Sequence, residues 1–425
     1  MSDVTFSPSA SLDADLRIVD GGIGAPLGFR AAGVACGIKR RPKSVEGAPA
    51  PAPLDLALIT ADGPVSAAAV FTTNRAVAAP VVVSREHLER SGGRAQAITI
   101  NSGCANACTG EAGMAVAREM AQVTAATVGC KVDHVLIAST GVIGVALDPA
   151  KIRAGVLAAA GTLSRDGADN AMRAIMTTDP FPKATAVEVR HDAGTFRVGG
   201  MAKGSGMIEP RMATMIGVLT TDAVVEPAVL AGALRRVMKG TFNAITVDGE
   251  CSTNDCAFLL ASGGSGVVIR RDDDPALIEG LTAVAGHLAR EIVRGGEGAT
   301  KLVTVRVTGA ETDADAWLAA RTIANSPLVK TAIHGGDPNW GRLIAAAGRS
   351  GAAFVLDRAS VWVGPVAVFA SGVPHDERAD EAAVVLQDNA VTVTVDVGTG
   401  GPHEATMWTC DFSAEYVRIN GAYRS

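Results

Sequence analysis

Strand-like and helix-like segments follow one another along this 425-residue chain in an order that limits its possible folds. Two runs that alternate apolar and polar residues, 184–190 and 195–198, flank Asp192-Ala193-Gly194 and predict a hairpin. An amphipathic pattern over Pro275–Arg294, followed by Gly295-Gly296, predicts a long helix with a defined end. Strands and helices do not alternate strictly, as they would in a doubly wound sheet. The pattern therefore predicts an α+β fold built of stacked layers.

The other elements follow from local patterns of the same kind. We expect strands over 54–59, 97–101, 135–139, 215–220, 246–247 and 258–261. We expect helices over 114–128, from Pro149 to about residue 163, and from about residue 226. Asp148 and Pro149 suit the cap and the first position of the second of these helices.

Charge and apolar patterning exclude two classes of partner. The chain has 38 Lys and Arg against 44 Asp and Glu, a net charge of −6, and 4% aromatic residues. Nucleic-acid binders usually carry a basic face and single-strand binders a stacking platform, so we expect no nucleic-acid partner. The start lacks a basic segment followed by an apolar one, and the apolar stretch 135–147 is too short for a bilayer. We therefore expect a cytoplasmic protein without a membrane partner.

The cysteines argue against disulfides and zinc. There are seven of them, an odd number, in a chain without an export signal, so we interpret them as reduced thiols. The pairs Cys104/Cys108 and Cys251/Cys256 lack C-x2-C spacing, and no histidine stands near either pair. We expect no metal site.

Small polar residues and glycine cluster in seven short blocks, which are 101–110, 139–144, 176–183, 203–215, 247–255, 295–301 and 334–342. Each block alone is typical of a turn. None has the spacing of a P-loop, a dinucleotide-binding loop, a G-x-S-x-G elbow or H-E-x-x-H. No histidine pairs with an obvious nucleophile.

Taken together, the blocks identify a family. The segment Lys203-Gly-Ser-Gly-Met-Ile-Glu-Pro-Arg-Met-Ala-Thr-Met215 closely resembles the signature of the ornithine acetyltransferases, also called the glutamate N-acetyltransferases of the cyclic arginine pathway. The match runs in order from about residue 22 to the end. Supporting segments are 139–144, 177–179, 295–301, 339–342 and 416–420.

The resemblance implies that the precursor cuts itself between Ala213 and Thr214. This would give an α chain of residues 1–213 and a β chain of residues 214–425. The Thr214 hydroxyl would attack the preceding carbonyl, and water would open the resulting ester. The new α-amine, with an ordinary pKa near 7.7–8.0, could then act as the base for the hydroxyl of its own residue, so no histidine is needed.

The resemblance also implies the reaction and its residues. Thr214 would take acetyl from N2-acetylornithine and pass it to glutamate, in a ping-pong sequence without a cofactor. Thr140 and Gly141 correspond to the oxyanion hole. The substrate-binding positions carried over are Thr177, Lys203, Thr214, Glu297, Asn420 and Ser425. Lysine can pair with an α-carboxylate and glutamate with the ornithine side-chain amine.

The family fold is a layered sandwich with helices outside two sheets, and its assembly is two α and two β chains. This sequence departs from the family in two places. The Pro-Ala stretch 43–53 resembles extra loop length, and Ser425 replaces a common terminal threonine while keeping a hydroxyl.

Two other functions stay open at this point. A self-cleaving aminopeptidase or amidase of related architecture would use the same threonine with water as acceptor, and a non-enzymatic binding protein would never cut. Whether acetyl-CoA is a second donor is also open, because some family members use it and others do not.

Overall fold

The computed structural model describes residues 16–40, 51–209 and 215–422. Their helices are α1 (Ala79–Arg90), α2 (Gly110–Val128), α3 (Pro149–Ala160), α4 (Ala168–Ile175), α5 (Pro227–Lys239), α6 (Pro275–Arg294), α7 (Asp313–Ala324), α8 (Pro327–Gly335), α9 (Trp340–Gly348), α10 (Ala379–Val385) and α11 (Ala414–Ala422).

The strands in these ranges are β1 (Leu16–Val19), β2 (Phe29–Val34), β3 (Leu56–Phe71), β4 (Arg94–Cys104), β5 (Val135–Val142), β6 (Lys183–His191), β7 (Gly194–Lys203), β8 (Ile216–Thr221), β9 (Val224–Val225), β10 (Cys256–Ala261), β11 (Val268–Ile269), β12 (Leu302–Ala310), β13 (Ser360–Val363), β14 (Val366–Ala370), β15 (Val373–Pro374), β16 (Ala390–Asp396) and β17 (His403–Cys410). A sheet of nine strands has the order β1-β6-β7-β8-β10-β3-β4-β5, with β2 also paired to β3, and six strands form a second sheet in the order β15-β14-β13-β16-β12-β17.

The large sheet folds over on itself. Inward-facing residues of β4 and β5, such as Ile98 and Leu136, share one buried core with Met201 of β7 and Phe258 of β10. The opposite faces of these strands pack on helices, with α1, α2 and α3 covering one half and α5 and α6 the other. Alternation along each strand produces this division, because successive side chains point to opposite faces. Two sheet layers thus lie between two helix layers, which confirms the expected α+β sandwich.

The second sheet packs its own helices and joins the first unit along α6 and β17. Strand β12 pairs with β16 and β17, and α7, α8 and α9 cover one buried face. The Thr246 N–H donates to the Trp408 carbonyl at 2.9 Å, and Cys410 belongs to the core that α6 completes.

Most of the predicted elements are confirmed. Strands β6 and β7 form the expected hairpin, and α6 has the predicted bounds. The predicted strand at 246–247 is wrong. Backbone N–H groups there bond to two different segments, Thr246 to Trp408 and Val247 to Ile208, so no continuous ladder forms.

No helix in the described ranges combines the length and the apolar character needed to cross a membrane. All seven cysteines are free thiols, and no cluster of three His, Cys, Asp or Glu side chains there could hold a metal ion.

Candidate active site

Six of the sequence-predicted site residues line one cavity of about 160 Å³. These are Thr140, Gly141, Thr177, Lys203, Glu297 and Asn420. Ala213, Thr214 and Ser425 lie outside the described residues. Ile208 and Met215, on either side of the segment 210–214, line the same cavity.

Thr140 and Gly141 stand at the irregular end of β5. The register between β4 and β5 shifts at Gly103 and Cys104, and Gly141 has a φ of +127°. A Cβ at Gly141 would lie 2.4 Å from the Gly103 carbonyl carbon, so only glycine allows this close approach of two backbones.

Lys203 ends β7 and donates from Nζ to the Thr140 Oγ1 at 3.3 Å. A hydroxyl has one proton to donate and two lone pairs. Because Lys203 occupies a lone pair, the Thr140 proton remains available for a ligand in the cavity. The pair therefore offers a hydroxyl donor beside a positive charge.

Asp179 connects the two cavity residues Thr177 and Lys203. One carboxylate oxygen accepts the Thr177 N–H at 3.0 Å, and the other accepts the N–H of Gly204, next to Lys203, at 2.7 Å. The Lys183 ammonium donates to that second oxygen at 2.6 Å. Burial alone would raise the pKa of Asp179, but the charges of Lys203 and Lys183 outweigh it and lower the pKa to about 2.

A third lysine approaches the same region. The Lys39 ammonium donates to the Leu54 carbonyl at 2.7 Å, and the Lys39 side chain lies against Gly103. Burial lowers the pKa of Lys39 to about 8, although the negative charges of Asp55 and Asp179 favour its charged form. On this side of the site three lysines thus outnumber the two carboxylates that face them, Asp55 and Asp179.

The other side of the cavity is acidic. The Glu297 Oε2 accepts from the Asn420 Nδ2 at 2.8 Å. The same oxygen packs closely against Gly206, where an added Cβ would lie only 2.5 Å from it. Asp248 accepts the N–H groups of Met207 and Ile208 at 2.7 and 2.8 Å, which fixes the chain leading into the segment 210–214.

Helix α11 covers this acidic side. The Tyr416 hydroxyl donates to Asp248 at 3.3 Å, and burial together with the charge of Asp248 raises the pKa of Tyr416. None of the α11 residues is buried. Contacts of Tyr416 with Asp248 and with the Phe412 ring, and of Asn420 with Glu297, hold the helix in place.

Sequence reasoning missed the roles of Asp179 and Asp248. Both residues fall inside polar blocks that the sequence singles out, 176–183 and 247–255. The clustering of small polar residues was the available signal. It could not say which side chains enter the cavity and which hold the backbone around it.

Comparison with known proteins decides the family. The ArgJ family profile matches residues 30–425. The chain belongs to the ArgJ family. Two relatives are named arginine biosynthesis bifunctional protein ArgJ. The one from Chlorobaculum tepidum is 48% identical over 94% of this chain and 96% of the relative. The one from Symbiobacterium thermophilum is 47% identical over 95% of this chain and 99% of the relative.

A solved structure, ornithine acetyltransferase complexed with ornithine from Mycobacterium tuberculosis, is 42% identical over 47% of this chain and 100% of that chain, with a TM-score of 0.41. Family membership confirms the resemblance and the expected enzyme class, acetyl transfer in arginine biosynthesis.

Proposed function

We propose that this enzyme transfers acetyl from N2-acetylornithine to glutamate through an acetyl ester on Thr214. The observation that carries the proposal is the convergence of Thr140, Gly141, Thr177 and Lys203 on one cavity with Met215, the residue that follows Thr214. The proposal includes self-cleavage between Ala213 and Thr214, because it creates the α-amine that serves as base.

The chemistry runs in two matching halves. The Thr214 hydroxyl attacks the acetyl carbonyl of N2-acetylornithine and gives its proton to its own α-amine. The Thr140 hydroxyl and the Gly141 N–H stabilise the oxyanion. Collapse breaks the C–N bond, and the ornithine amine leaves with the proton. Glutamate then attacks the ester by the reverse sequence and leaves as N-acetylglutamate.

The charge distribution supports one orientation of the substrate. The ammonium of Lys203, with Lys39 and Lys183 behind it, suits the α-carboxylate that both substrates carry. Glu297, beside Asp248, suits the side-chain ammonium of ornithine. Thr177 and Asn420 add polar contacts at the two ends, and Ser425 completes the set by the family pattern.

The proposal extends to the second donor and the assembly. The relatives named above are called bifunctional, which supports acetyl-CoA as a donor to glutamate. The fragments 1–213 and 214–425 would assemble as two α and two β chains, in the cytoplasm.

Ornithine release tests the transferase against the amidase. With N2-acetylornithine and no glutamate, we expect at most one ornithine per active site, and sustained release only after glutamate is added. Sustained release without glutamate would show that water is the acceptor. Replacing N2-acetylornithine with acetyl-CoA, and following N-acetylglutamate, tests the second donor in the same assay.

A further inference from the structure

Asn254 is a buried residue in the lining of the cavity, and the proposed reaction gives it no role. It precedes β10 by two residues and is 6% exposed. Its Nδ2 donates to the Ala105 carbonyl at 2.6 Å and to the Ser139 carbonyl at 2.9 Å. Its Oδ1 accepts from the Thr253 hydroxyl at 2.5 Å.

The partners fix the orientation of this amide. Two carbonyl oxygens can only accept, so the nitrogen must face them, and both of its protons are used. The Ser139 carbonyl belongs to the same peptide group as the Thr140 N–H. A hydrogen bond to that oxygen therefore fixes the peptide plane from which the Thr140 side chain and Gly141 continue.

The local backbone needs such a support. The ladder between β4 and β5 is irregular at Cys104, where Thr140 and Val142 both face one residue. The Ala105 carbonyl, the other partner of Asn254, lies just beyond that irregularity, and the Ala105 N–H donates to the Val142 carbonyl at 3.0 Å. Asn254 thus ties β5, at Ser139, to the residue that follows β4, next to the point where the register between the two strands shifts.

We infer that Asn254 is a positioning residue for the oxyanion hole, acting through the Ser139–Thr140 peptide. The inference rests on the proposed function. The two hydrogen bonds also join the two proposed fragments, since Asn254 belongs to 214–425 and its carbonyl partners belong to 1–213. Oxyanion donors work only at a set distance from the developing charge, so loosening this peptide lowers the rate more than the affinity.

The test compares Asn254→Asp, Asn254→Ala and Asn254→Ser with Asn74→Asp. The aspartate keeps the shape of asparagine but turns a carboxylate oxygen toward two carbonyls. Asn74 is the matched control because its Nδ2 donates to the Cys251 carbonyl of the same loop at 2.8 Å, away from β5. Intact mass gives the cut fraction of each variant, and rates are expressed per cut chain.

We expect kcat for acetyl transfer to fall about 10-fold to 100-fold in the Asn254 variants. The dissociation constant for ornithine, measured by calorimetry on unacetylated enzyme, should change less than threefold, and Asn74→Asp should keep most of kcat. Equal kcat in wild type and the Asn254 variants overturns the inference, as does a loss confined to ornithine affinity. So does a set of folded Asn254 variants that stay uncut, because the contact would then serve maturation. Absence of acetyl transfer in the wild type would instead refute the proposed function.

Discussion

The Asp179 carboxylate and the Lys183 ammonium form a 2.6 Å ion pair with both side chains shielded from solvent. Asp179 also accepts backbone N–H groups beside Thr177 and Lys203. A buried pair whose remaining lone pairs are used in this way orders the cavity wall at the cost of desolvating two charges. The pair is therefore structural support for the positively charged side of the site.

Breaking the pair should be costly. Asp179→Asn or Lys183→Met leaves one buried charge uncompensated, and we expect each to lower the free energy of unfolding by about 3–5 kcal/mol. The double variant should lose less than the sum of the two. Chemical denaturation measures all three. The matched control is Arg173→Met, which removes the exposed pair with Asp169 at the same four-residue spacing and should cost less than about 1 kcal/mol. Additive losses for the double variant would contradict a direct coupling.

Lys39 should titrate well below an ordinary lysine. Its amine reacts with acylating reagents only when unprotonated, and burial lowers its pKa to about 8. The labelling rate should rise about tenfold per pH unit up to pH 8 and then level off, because the neutral fraction saturates there. Peptide mass spectrometry after brief acetylation, from pH 6 to 11, gives the profile. A midpoint near 10.4, the ordinary lysine value, would show that Lys39 is solvated.

Gly141→Ala should damage both stability and activity. The new Cβ would meet backbone atoms of Gly103 and Cys104 at 2.4 and 2.7 Å, so β4 and β5 must move apart at the oxyanion hole. We expect a loss of more than about 2 kcal/mol, since strained φ alone costs about 1–3 kcal/mol. Gly144→Ala is the control. Gly144 also has positive φ, +75°, but its Cβ would meet no atom within 4 Å. Equal losses in thermal unfolding would mean that the close approach is unimportant.

The α11 helix should govern substrate affinity. Asn420→Ala removes the 2.8 Å contact to Glu297 and frees that carboxylate to move, so we expect KM for N2-acetylornithine to rise several-fold. A peptide tag after Ser425 should also impair turnover. Arg418→Ala, which breaks only an exposed pair with Glu415 on the same helix, should leave KM unchanged. Full activity of both Asn420→Ala and a C-terminally tagged enzyme would contradict the placement of this helix over the site.

Local sequence patterns predicted most of the strands and helices of the fold. Period-two alternation located the β6–β7 hairpin, and amphipathicity with a double glycine located α6, because both signals are local. The folding over of the large sheet could not be predicted, since it depends on Ile98 and Phe258 meeting across the core from distant segments. The predicted strand at 246–247 is wrong because the backbone partners of Thr246 and Val247 lie in two distant segments, at Trp408 and Ile208.

The site residues also divide into those that the sequence predicted and those that it did not. The family pattern predicted Thr140, Thr177, Lys203 and Glu297, and the structure brings them to one cavity. The roles of Asp179 and Asn254 were not predicted, because these side chains act through hydrogen bonds to backbone groups of other segments. An asparagine in a polar loop looks like a turn residue until the carbonyls of Ala105 and Ser139, from another part of the chain, are seen to meet its amide.

The proposed mechanism depends on Thr214, which self-cleavage releases and which then carries the acetyl group. Denaturing intact mass, on wild type and Thr214→Ala after incubation with N2-acetylornithine, detects both events. We predict two fragments divided between Ala213 and Thr214, with one acetyl-sized addition on the 214–425 fragment, and for Thr214→Ala a single unmodified chain. A wild-type chain that stays whole and unmodified, or a Thr214→Ala variant that still gains acetyl, would contradict this mechanism.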